Sequence, residues 1–363
     1  MTIHHPPAGL DGVAAAVTAL SHVDGERGEL IVAGQTIGDL AHAVDFETLT
    51  ARLWATATGE TSDDGDVRAQ FGRARVAAFE ALPGTLAATR GRQPVEALRV
   101  GVAALRPVAG LQDAATIVGG MPVVAAALIR QSQGKAPVAP DASLCQAADL
   151  LRMIRGEAAP AEAVQALDTY LVTVADHGMN ASTFAARVVA STQADLFMAV
   201  TAAYCALTGP LHGGAPEPVL DMLDAIGTAD RIRPWIDEAL ARGERLMGFG
   251  HRIYKVLDPR ADVLRAAVLR LTGGRTDLGL AAQVEAYARE ALQAAKPGRR
   301  LDTNVEFYTA ILLDALAIPR SAFTPIFAVA RAAGWTAHAL EQQRTGRLLR
   351  PSATYVGVMP QDG

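Results

Sequence analysis

The stretch LMGFGHRIYKVLDPRADVLR, residues 246–265, gathers a histidine and several cations within twenty positions. The basic side chains that lie close together are His251, Arg252, Lys255 and Arg260. Only Asp258 and Asp262 oppose them within the stretch. Cations clustered around a titratable ring are typical of an anion site, because guanidinium groups pair with carboxylates and phosphates through paired hydrogen bonds. The stretch therefore predicts that the protein binds an anion, and the rest of the sequence has to identify it.

The composition indicates a folded protein with a sizeable apolar core. Of the 363 residues 50% are hydrophobic and 20% are charged, and the formal net charge is -5. An acidic balance argues against a nucleic-acid-binding protein, whose binding surface would make it basic. Cys145 and Cys205 lie far apart and match no metal-binding spacing, which suits a reducing compartment. The N-terminus lacks a signal-peptide pattern and no apolar window is long enough to span a membrane, so we expect a soluble cytoplasmic protein.

Helical periodicity dominates the chain. Residues 161–178, AEAVQALDTYLVTVADHG, repeat apolar side chains at helical spacing, and several other segments do the same. Strand patterns are sparse, and the two short runs are ELIVAG at 29–34 and ATYVGV at 353–358. The sequence therefore predicts a mainly α-helical protein with at most a small N-terminal β-hairpin.

Two histidines outside the basic stretch are candidates for a site. His212 lies in TGPLHGGAP, where Gly213 and Gly214 would let the backbone approach a ligand closely. A surface-loop histidine is the alternative explanation. His177 ends a predicted helix, where an interaction with the helix dipole would by itself explain a histidine.

An acid and an arginine in two further helices are also candidates. Glu306 is predicted to be the second residue of a helix capped by Asn304, where an acid also serves simply to stabilise the helix dipole. Arg331 lies in the apolar run IFAVARAAGW, and a charge embedded in such a run should have an anionic partner. A dicarboxylate ligand would supply that partner. For Arg260 and Arg350 the alternative explanation is that they are ordinary surface charges.

Taken together and in order, these segments resemble the citrate synthase family. They are TGPLHGGAP (208–216), GFGHRIYKVLDPRADVLR (248–265), NVEFYTAILLDALAIP (304–319) and FTPIFAVARAAGWTAHALEQ (323–342), with further likeness at 9–30 and 152–191. The likeness extends over most of the chain, and the pattern G-F-G-H-R-x-Y-K-x-x-D-P-R is its most specific part. The length resembles that of the compact bacterial branch, which holds citrate and 2-methylcitrate synthases.

The resemblance implies a helical homodimer with two domains in each subunit. Residues 1–215 and 318–363 would form the large domain, and residues 216–317 would form a small domain that closes over the substrates. The activity implied is the condensation of acetyl-CoA with oxaloacetate and water to give citrate and CoA. No metal or redox cofactor is implied, since CoA is a substrate and product.

The resemblance also implies a role for each candidate residue. His212 would bind the thioester carbonyl of acetyl-CoA, His251 would polarise the ketone of oxaloacetate, and Glu306 would be the base. His177, Arg260 and Arg331 would bind the oxaloacetate carboxylates, with Arg350 reaching in from the partner subunit. The residues implied in CoA binding are Leu211, Gly248, Phe249, Gly250, Lys255 and Asn304.

The sequence departs from the family pattern at two positions. Glu306 stands where the family usually has aspartate, and Ala33 stands where the family generally has arginine. Two alternatives to citrate synthesis therefore stay open. One is a 2-methylcitrate synthase that uses propionyl-CoA, because one methylene in a pocket discriminates only weakly. The other is a non-catalytic dimer that senses CoA or a dicarboxylate.

Overall fold

The structure is a computed structural model that describes residues 8–10, 12–60, 64–212, 216–251, 253–271 and 277–358. It is 62% helical, which confirms the predicted mainly α-helical fold. The helices of the described residues are α1 Ile37–Ala43, α2 Phe46–Thr58, α3 Asp64–Glu80, α4 Leu82–Ala88, α5 Pro94–Ala104, α6 Asp113–Ser132, α7 Gln146–Arg155, α8 Ala161–Val174, α9 Ala181–Ala190, α10 Leu196–Leu207, α11 Glu217–Ile226, α12 Ile232–Ala241, α13 Pro259–Val268, α14 Leu278–Ala295, α15 Val305–Ala315 and α16 Phe323–Thr345.

A small antiparallel sheet precedes the helices. Its strands are β1 Ser21–Asp24, β2 Glu29–Val32 and β3 Gln35–Thr36, in the order β1-β2-β3. β2 confirms the strand predicted at ELIVAG. The chain turns again at Ala33 and Gly34, so the predicted hairpin carries a third, two-residue strand. The departure from the family pattern at Ala33 therefore lies in the β2–β3 turn.

The second predicted strand, ATYVGV at 353–358, is wrong. The described chain is irregular from Gly346 onward, and no described strand borders this segment. An alternating apolar run becomes a strand only when a neighbouring strand satisfies its backbone groups. Without one, Tyr355, Val356 and Val358 are 68%, 77% and 91% exposed. The C-terminal tail thus carries apolar side chains that the single chain leaves uncovered.

Two long helices, α6 and α16, form the centre of the core. α6 is by itself long and apolar enough to cross a membrane, yet 89% of its apolar window is buried inside the protein. α6 is therefore a core helix of this fold. α16 packs against α2, α6, α8, α9 and α10, and its residues from Ala328 to Ala339 are all buried. Because α16 is surrounded on all sides, its few polar side chains meet other buried groups rather than water.

The helices from α11 to α15 form a consecutive group within the part of the chain that the structure describes. α12 packs on α14, and α15 packs on both α11 and α13. α13 and α15 also contact α8, which belongs to the preceding part of the chain. The group coincides with the small domain predicted at 216–317, and the domain boundaries stay a prediction.

Close packing at Gly334 fixes the turn between α8 and α9. A Cβ atom at Gly334 would lie 2.4 Å from the carbonyl oxygen of Ala175 and 2.7 Å from Oδ1 of Asp176. Contacts this short require the backbone to move, because the neighbouring atoms belong to the chain itself and to a buried carboxylate. Only glycine at this position of α16 therefore allows the turn before His177 to pack as it does.

We expect Gly334→Ala to lower the free energy of unfolding by about 1–3 kcal/mol, the usual cost of an extra methyl in a well-packed core. Gly84→Ala is the matched control, because Gly84 lies in α4 with nothing within 4 Å of the added Cβ. Replacing glycine by alanine at such a helix position is neutral or stabilises by roughly 0.5–1 kcal/mol. Urea denaturation of both variants measures the difference, and equal stabilities would contradict the packing argument.

Candidate active site

The loop that leads to His251 is fixed by a short backbone pairing with the segment before α15. Asn304 N–H donates to the carbonyl oxygen of Gly248 (2.9 Å), and Gly250 N–H donates to that of Asp302 (2.8 Å). Gly248 and Gly250 have φ of 83° and 76°, a region that favours glycine. The pairing brings the two segments of the most specific sequence motifs side by side.

His251 is held as a neutral hydrogen-bond donor. Its Nδ1 accepts from the backbone N–H groups of Ile253 (3.0 Å) and Tyr254 (3.1 Å), so the proton of the neutral ring lies on Nε2. Burial and the nearby Arg260 charge lower the pKa of His251 to about 4. Nη2 of Arg260 lies 3.5 Å from Nε2 of His251. Both groups are donors, so they can share one acceptor oxygen of a ligand.

Asp258 joins the start of α13 to the start of α15. It caps α13 by accepting from Arg260 N–H, and its two oxygens accept from Nε (3.0 Å) and Nη2 (2.8 Å) of the Arg260 guanidinium. Oδ2 also accepts from Val305 N–H at 3.1 Å. Burial alone would raise the pKa of Asp258, but the Arg260 guanidinium outweighs it and holds the pKa below its ordinary value.

Glu306 is the second residue of α15, and Asn304 is its N-cap, as predicted. Oδ1 of Asn304 accepts from Glu306 N–H at 3.0 Å, and Nδ2 of Asn304 donates to the Gly250 carbonyl at 2.8 Å. The Glu306 carboxylate has no hydrogen-bond or ion-pair partner among the described residues. Burial raises its pKa to about 7, against the opposing effect of Arg260. The carboxyl group is therefore unpaired and titrates near neutral pH.

His212 is a second neutral donor. Ser182 N–H donates to its Nε2 at 3.2 Å, so the proton of the neutral ring lies on Nδ1. Oγ of Ser182 lies 2.8 Å from the same nitrogen and is itself held by Nε1 of Trp335 at 3.1 Å. Burial, with a contribution from Arg331, lowers the pKa of His212 to about 4. The contact to the start of α9 holds the partly buried His212 ring in place.

His177 lies beside the His251 ring, in the turn that follows α8, and not at the end of the helix itself. α8 stops at Val174, and His177 follows in the turn with 6% of its surface exposed. Its ring is 5.6 Å from that of His251, and its Nε2 lies 3.1 Å from Oη of Tyr254. Burial lowers the pKa of His177 well below its ordinary value, and the charge of Arg260 lowers it further. The structure thus makes this a neutral, buried ring beside two cations.

Arg331 is a buried cation without a carboxylate partner. It is 2% exposed, its Nε donates to the Val174 carbonyl at 2.7 Å, and it stacks on the ring of Phe327 at 4.7 Å. Among the described residues no Asp or Glu forms an ion pair with it. Burial lowers the pKa of Arg331 to about 10, so it stays charged at neutral pH. The missing anion agrees with the prediction that a ligand supplies the partner.

The remaining predicted residues lie outside this cluster or are engaged elsewhere. Leu211 is 101% exposed, and Lys255 pairs with Glu26 at the β1–β2 turn. The Phe249 ring is buried against Phe307, at 5.4 Å, so the GFG loop offers backbone rather than a side chain. Arg350 is exposed and has no partner among the described residues. The predicted contributions of Arg252, Gly213 and Gly214 lie outside the described residues.

Three residues that position the site were not singled out from the sequence. Tyr254, Ser182 and Asp258 contact the histidines and Arg260 as described above. Only Asp258 had a readable pattern, since an aspartate directly before proline is typical of a helix start. The described residues contain no group of three or more His, Cys, Asp and Glu side chains that could hold a metal ion. The predicted absence of a metal or redox cofactor stays a prediction.

We expect Asp258→Asn to lower the free energy of unfolding by about 3–5 kcal/mol, because it leaves the buried Arg260 charge uncompensated. Asp262→Asn is the control, since this exposed acid of the same helix turn contributes at most about 1 kcal/mol. The pKa of Asp258 is lowered in the folded protein, so its contribution is present above the ordinary aspartate range and fades as the pH falls. Urea midpoints at pH 7 and at about pH 3, below the ordinary aspartate pKa of about 3.9, check this. A gap between parent and variant that widens in acid would contradict it.

Comparison with known proteins agrees with the geometry. The sequence model described as "Citrate synthase, C-terminal domain" matches residues 9–352. The citrate synthase of Haloferax volcanii is 39% identical over 96% of this chain and 95% of its own length. Citrate synthase 2 of Bacillus subtilis is 34% identical over 96% of this chain and 95% of its own.

Solved structures give the same result. The ternary complex of carboxymethyl coenzyme A and oxaloacetate with citrate synthase from Thermoplasma acidophilum matches with a TM-score of 0.86 and 26% identity, over 98% of this chain and 97% of that chain. Citrate synthase from Thermotoga maritima matches with a TM-score of 0.83 and 29% identity, over 98% and 97%. The family model covers residues 9–352, and relatives of up to 39% identity match nearly the whole chain, so the chain belongs to the citrate synthase family.

Proposed function

We propose that this protein condenses acetyl-CoA with oxaloacetate and water to give citrate and CoA. The observation that carries the proposal is the pair of neutral imidazoles, His212 with its proton on Nδ1 and His251 with its proton on Nε2. Each can donate to a carbonyl oxygen on which negative charge develops, as an oxyanion hole does. The relatives described above are named citrate synthases, which favours acetyl-CoA over propionyl-CoA as the donor.

Oxaloacetate would bind between the two arginines. Among the described residues the Arg331 guanidinium has no anionic partner, and Nη1 of Arg260 has no hydrogen-bond partner. Each would hold a carboxylate, and His177 would add a further contact. Nε2–H of His251 would then donate to the ketone oxygen. Fixing the carboxylates sets which face of the ketone is presented, so that orientation supplies part of the rate. The complex of a similar citrate synthase with oxaloacetate supports this assignment.

Glu306 would take a proton from the methyl group of acetyl-CoA. A carboxyl group with a pKa of about 7 is a stronger base than an ordinary glutamate and is still largely ionised just above neutral pH. Nδ1–H of His212 would stabilise the enol or enolate oxygen that forms. The new carbon nucleophile would attack the ketone carbon of oxaloacetate, whose oxygen is held by His251. Hydrolysis of the resulting thioester would release citrate and CoA.

CoA would bind along the small domain, which we assign to 216–317. The predicted contacts are Leu211, Gly248, Phe249, Gly250, Lys255 and Asn304. The ion pair between Lys255 and Glu26 is exposed to solvent and therefore weak. Lys255 could exchange Glu26 for a phosphate of CoA. The Asn304 side chain already bonds at both ends, so its contribution would be to hold the loop.

We assign the protein a homodimeric state, with Arg350 reaching the site of the other subunit. Arg350 is exposed and lies on the irregular tail, whose apolar side chains are uncovered on the single chain. Such a tail needs a partner surface, because exposed apolar patches mark interaction sites. Cytoplasmic location stays a prediction.

The test of the activity is the release of free thiol from acyl-CoA in the presence of oxaloacetate. We expect turnover with acetyl-CoA that depends on oxaloacetate, and a lower kcat/KM with propionyl-CoA. A preference for propionyl-CoA would assign the protein to 2-methylcitrate synthesis. Binding of both ligands without thiol release would favour the non-catalytic sensor.

We expect Glu306→Gln to lower kcat by roughly 10²–10⁴, because the amide cannot accept the proton. The fold should survive, since a neutral amide is cheaper to bury than a carboxylate. Since the base must be ionised and its pKa is about 7, kcat/KM of the parent should rise with pH and level off above that value. His212 and His251, with pKa values near 4, stay neutral throughout this range. Thiol release between pH 6 and pH 9 measures both effects, and an active Gln variant would reduce Glu306 to a helix-stabilising acid.

We expect a hybrid dimer of one Glu306→Gln subunit and one Arg350→Ala subunit to have about half the parent activity, although each homodimer is nearly inactive. If Arg350 acts across the interface, the site that keeps Glu306 receives an intact Arg350 from the other chain. If Arg350 acts within its own chain, both sites of the hybrid are impaired. Two affinity tags allow the hybrid to be purified, and an inactive hybrid or a fully active monomer would contradict the assignment.

A further inference from the structure

Tyr254 contacts two of the candidate histidines at once. It is 2% exposed, and its ring lies 4.8 Å from the ring of His251 and 5.6 Å from that of His177. Its backbone N–H donates to Nδ1 of His251 at 3.1 Å. Its hydroxyl oxygen lies 3.1 Å from Nε2 of His177, and this is the only polar partner of the hydroxyl among the described residues.

The hydroxyl must donate in this contact. Burial raises the pKa of Tyr254, so the phenol keeps its proton at neutral pH. A buried O–H group without an acceptor is unfavourable, and Nε2 of His177 is the acceptor that the described residues provide. His177 is neutral, because burial and the nearby cations hold its pKa well below the ordinary value. A neutral imidazole that accepts at Nε2 carries its proton on Nδ1.

That tautomer suits an anionic ligand. Nδ1 of His177 has no hydrogen-bond partner among the described residues. It is not one of the fully buried polar atoms that lack a partner, so it is open to a ligand. In the Nδ1–H form this atom is a donor, as are the neighbouring groups of His251 and Arg260. In the other tautomer the same atom would present a lone pair to a carboxylate, which is repulsive. The hydroxyl therefore decides whether His177 attracts or repels the ligand.

We propose that Tyr254 is a positioning residue that sets the tautomers of both histidines. Its backbone N–H, together with that of Ile253, holds His251 with the proton on Nε2, and its hydroxyl holds His177 with the proton on Nδ1. Both rings then donate toward oxaloacetate. The proposal rests on the proposed function for the identity of the ligand, whereas the tautomers themselves are independent of it.

The test is Tyr254→Phe, which removes the hydroxyl but keeps the ring contacts and the backbone N–H. We expect KM for oxaloacetate to rise roughly ten- to a hundredfold, the effect of losing a well-oriented hydrogen bond to a charged group. KM for acetyl-CoA at saturating oxaloacetate and kcat should change by less than about threefold, since such a loss weakens ground-state and transition-state binding equally. Tyr204→Phe is the matched control, because its hydroxyl donates to the Val95 carbonyl at 2.6 Å, outside the site.

The tautomer itself is read from ¹⁵N spectra of histidine-labelled protein, with the His177 resonances assigned by their absence from a His177→Gln spectrum. We expect Nδ1 to be protonated in the parent and Nε2 to gain protonation in the Phe variant. A parent with the proton on Nε2 overturns the proposal without any variant. An unchanged KM in Tyr254→Phe, or a raised KM with an unchanged tautomer, also overturns it. A parent with the expected tautomer but no thiol release would instead count against the proposed function.

Discussion

The site depends on one buried carboxylate, that of Asp258. It caps α13, pairs with the Arg260 guanidinium through both oxygens and accepts from Val305 N–H at the start of α15. These contacts fix the direction of Arg260 and the position of the helix turn that carries Glu306. Burial lowers the pKa of both His251 and His177, and the nearby Arg260 charge lowers it further. A single ion pair thus fixes the geometry at the starts of both helices and contributes to the electrostatics of the site.

Burial acts in opposite directions on the two kinds of titratable group. It lowers the pKa of an imidazole, whose charged form is a cation, and raises that of a carboxyl group, whose charged form is an anion. At His212 and His251 the result is a pKa near 4, and at Glu306 it is a pKa of about 7. Partial burial of all three groups therefore gives neutral donors and a base suited to neutral pH. Glutamate at this position adds one methylene to the reach of the base and leaves this electrostatic argument unchanged.

The sequence predicted the elements whose cause is local. Helical periodicity gave the fold class, Asn304 was recognised as the cap that makes Glu306 the second residue of its helix, and the embedded charge of Arg331 indicated a ligand partner. Failures arose where the cause is tertiary. ATYVGV has a strand pattern but no described strand to pair with, and His177 follows its helix rather than ending it. Tyr254 and Ser182 were missed because a phenol or hydroxyl contact to a histidine depends on how distant segments pack.

The central helix α16 explains how these distant segments meet. Arg331, Trp335 and His338 follow one another at spacings of four and three, which places them on one face of the helix. Arg331 donates to the Val174 carbonyl at 2.7 Å, Trp335 to Oγ of Ser182 at 3.1 Å, and Nε2 of His338 lies 3.1 Å from Oδ1 of Asp176. Val174 is the end of α8, Ser182 lies at the start of α9, and Asp176 lies in the turn between the two helices. This turn contains His177, and Ser182 contacts His212. A helix with an apolar surface throughout would leave the Val174 carbonyl without its Arg331 donor and the buried Asp176 carboxylate without His338. The polar face of α16 is therefore what allows an irregular turn, with the buried His177, to lie inside an otherwise apolar core.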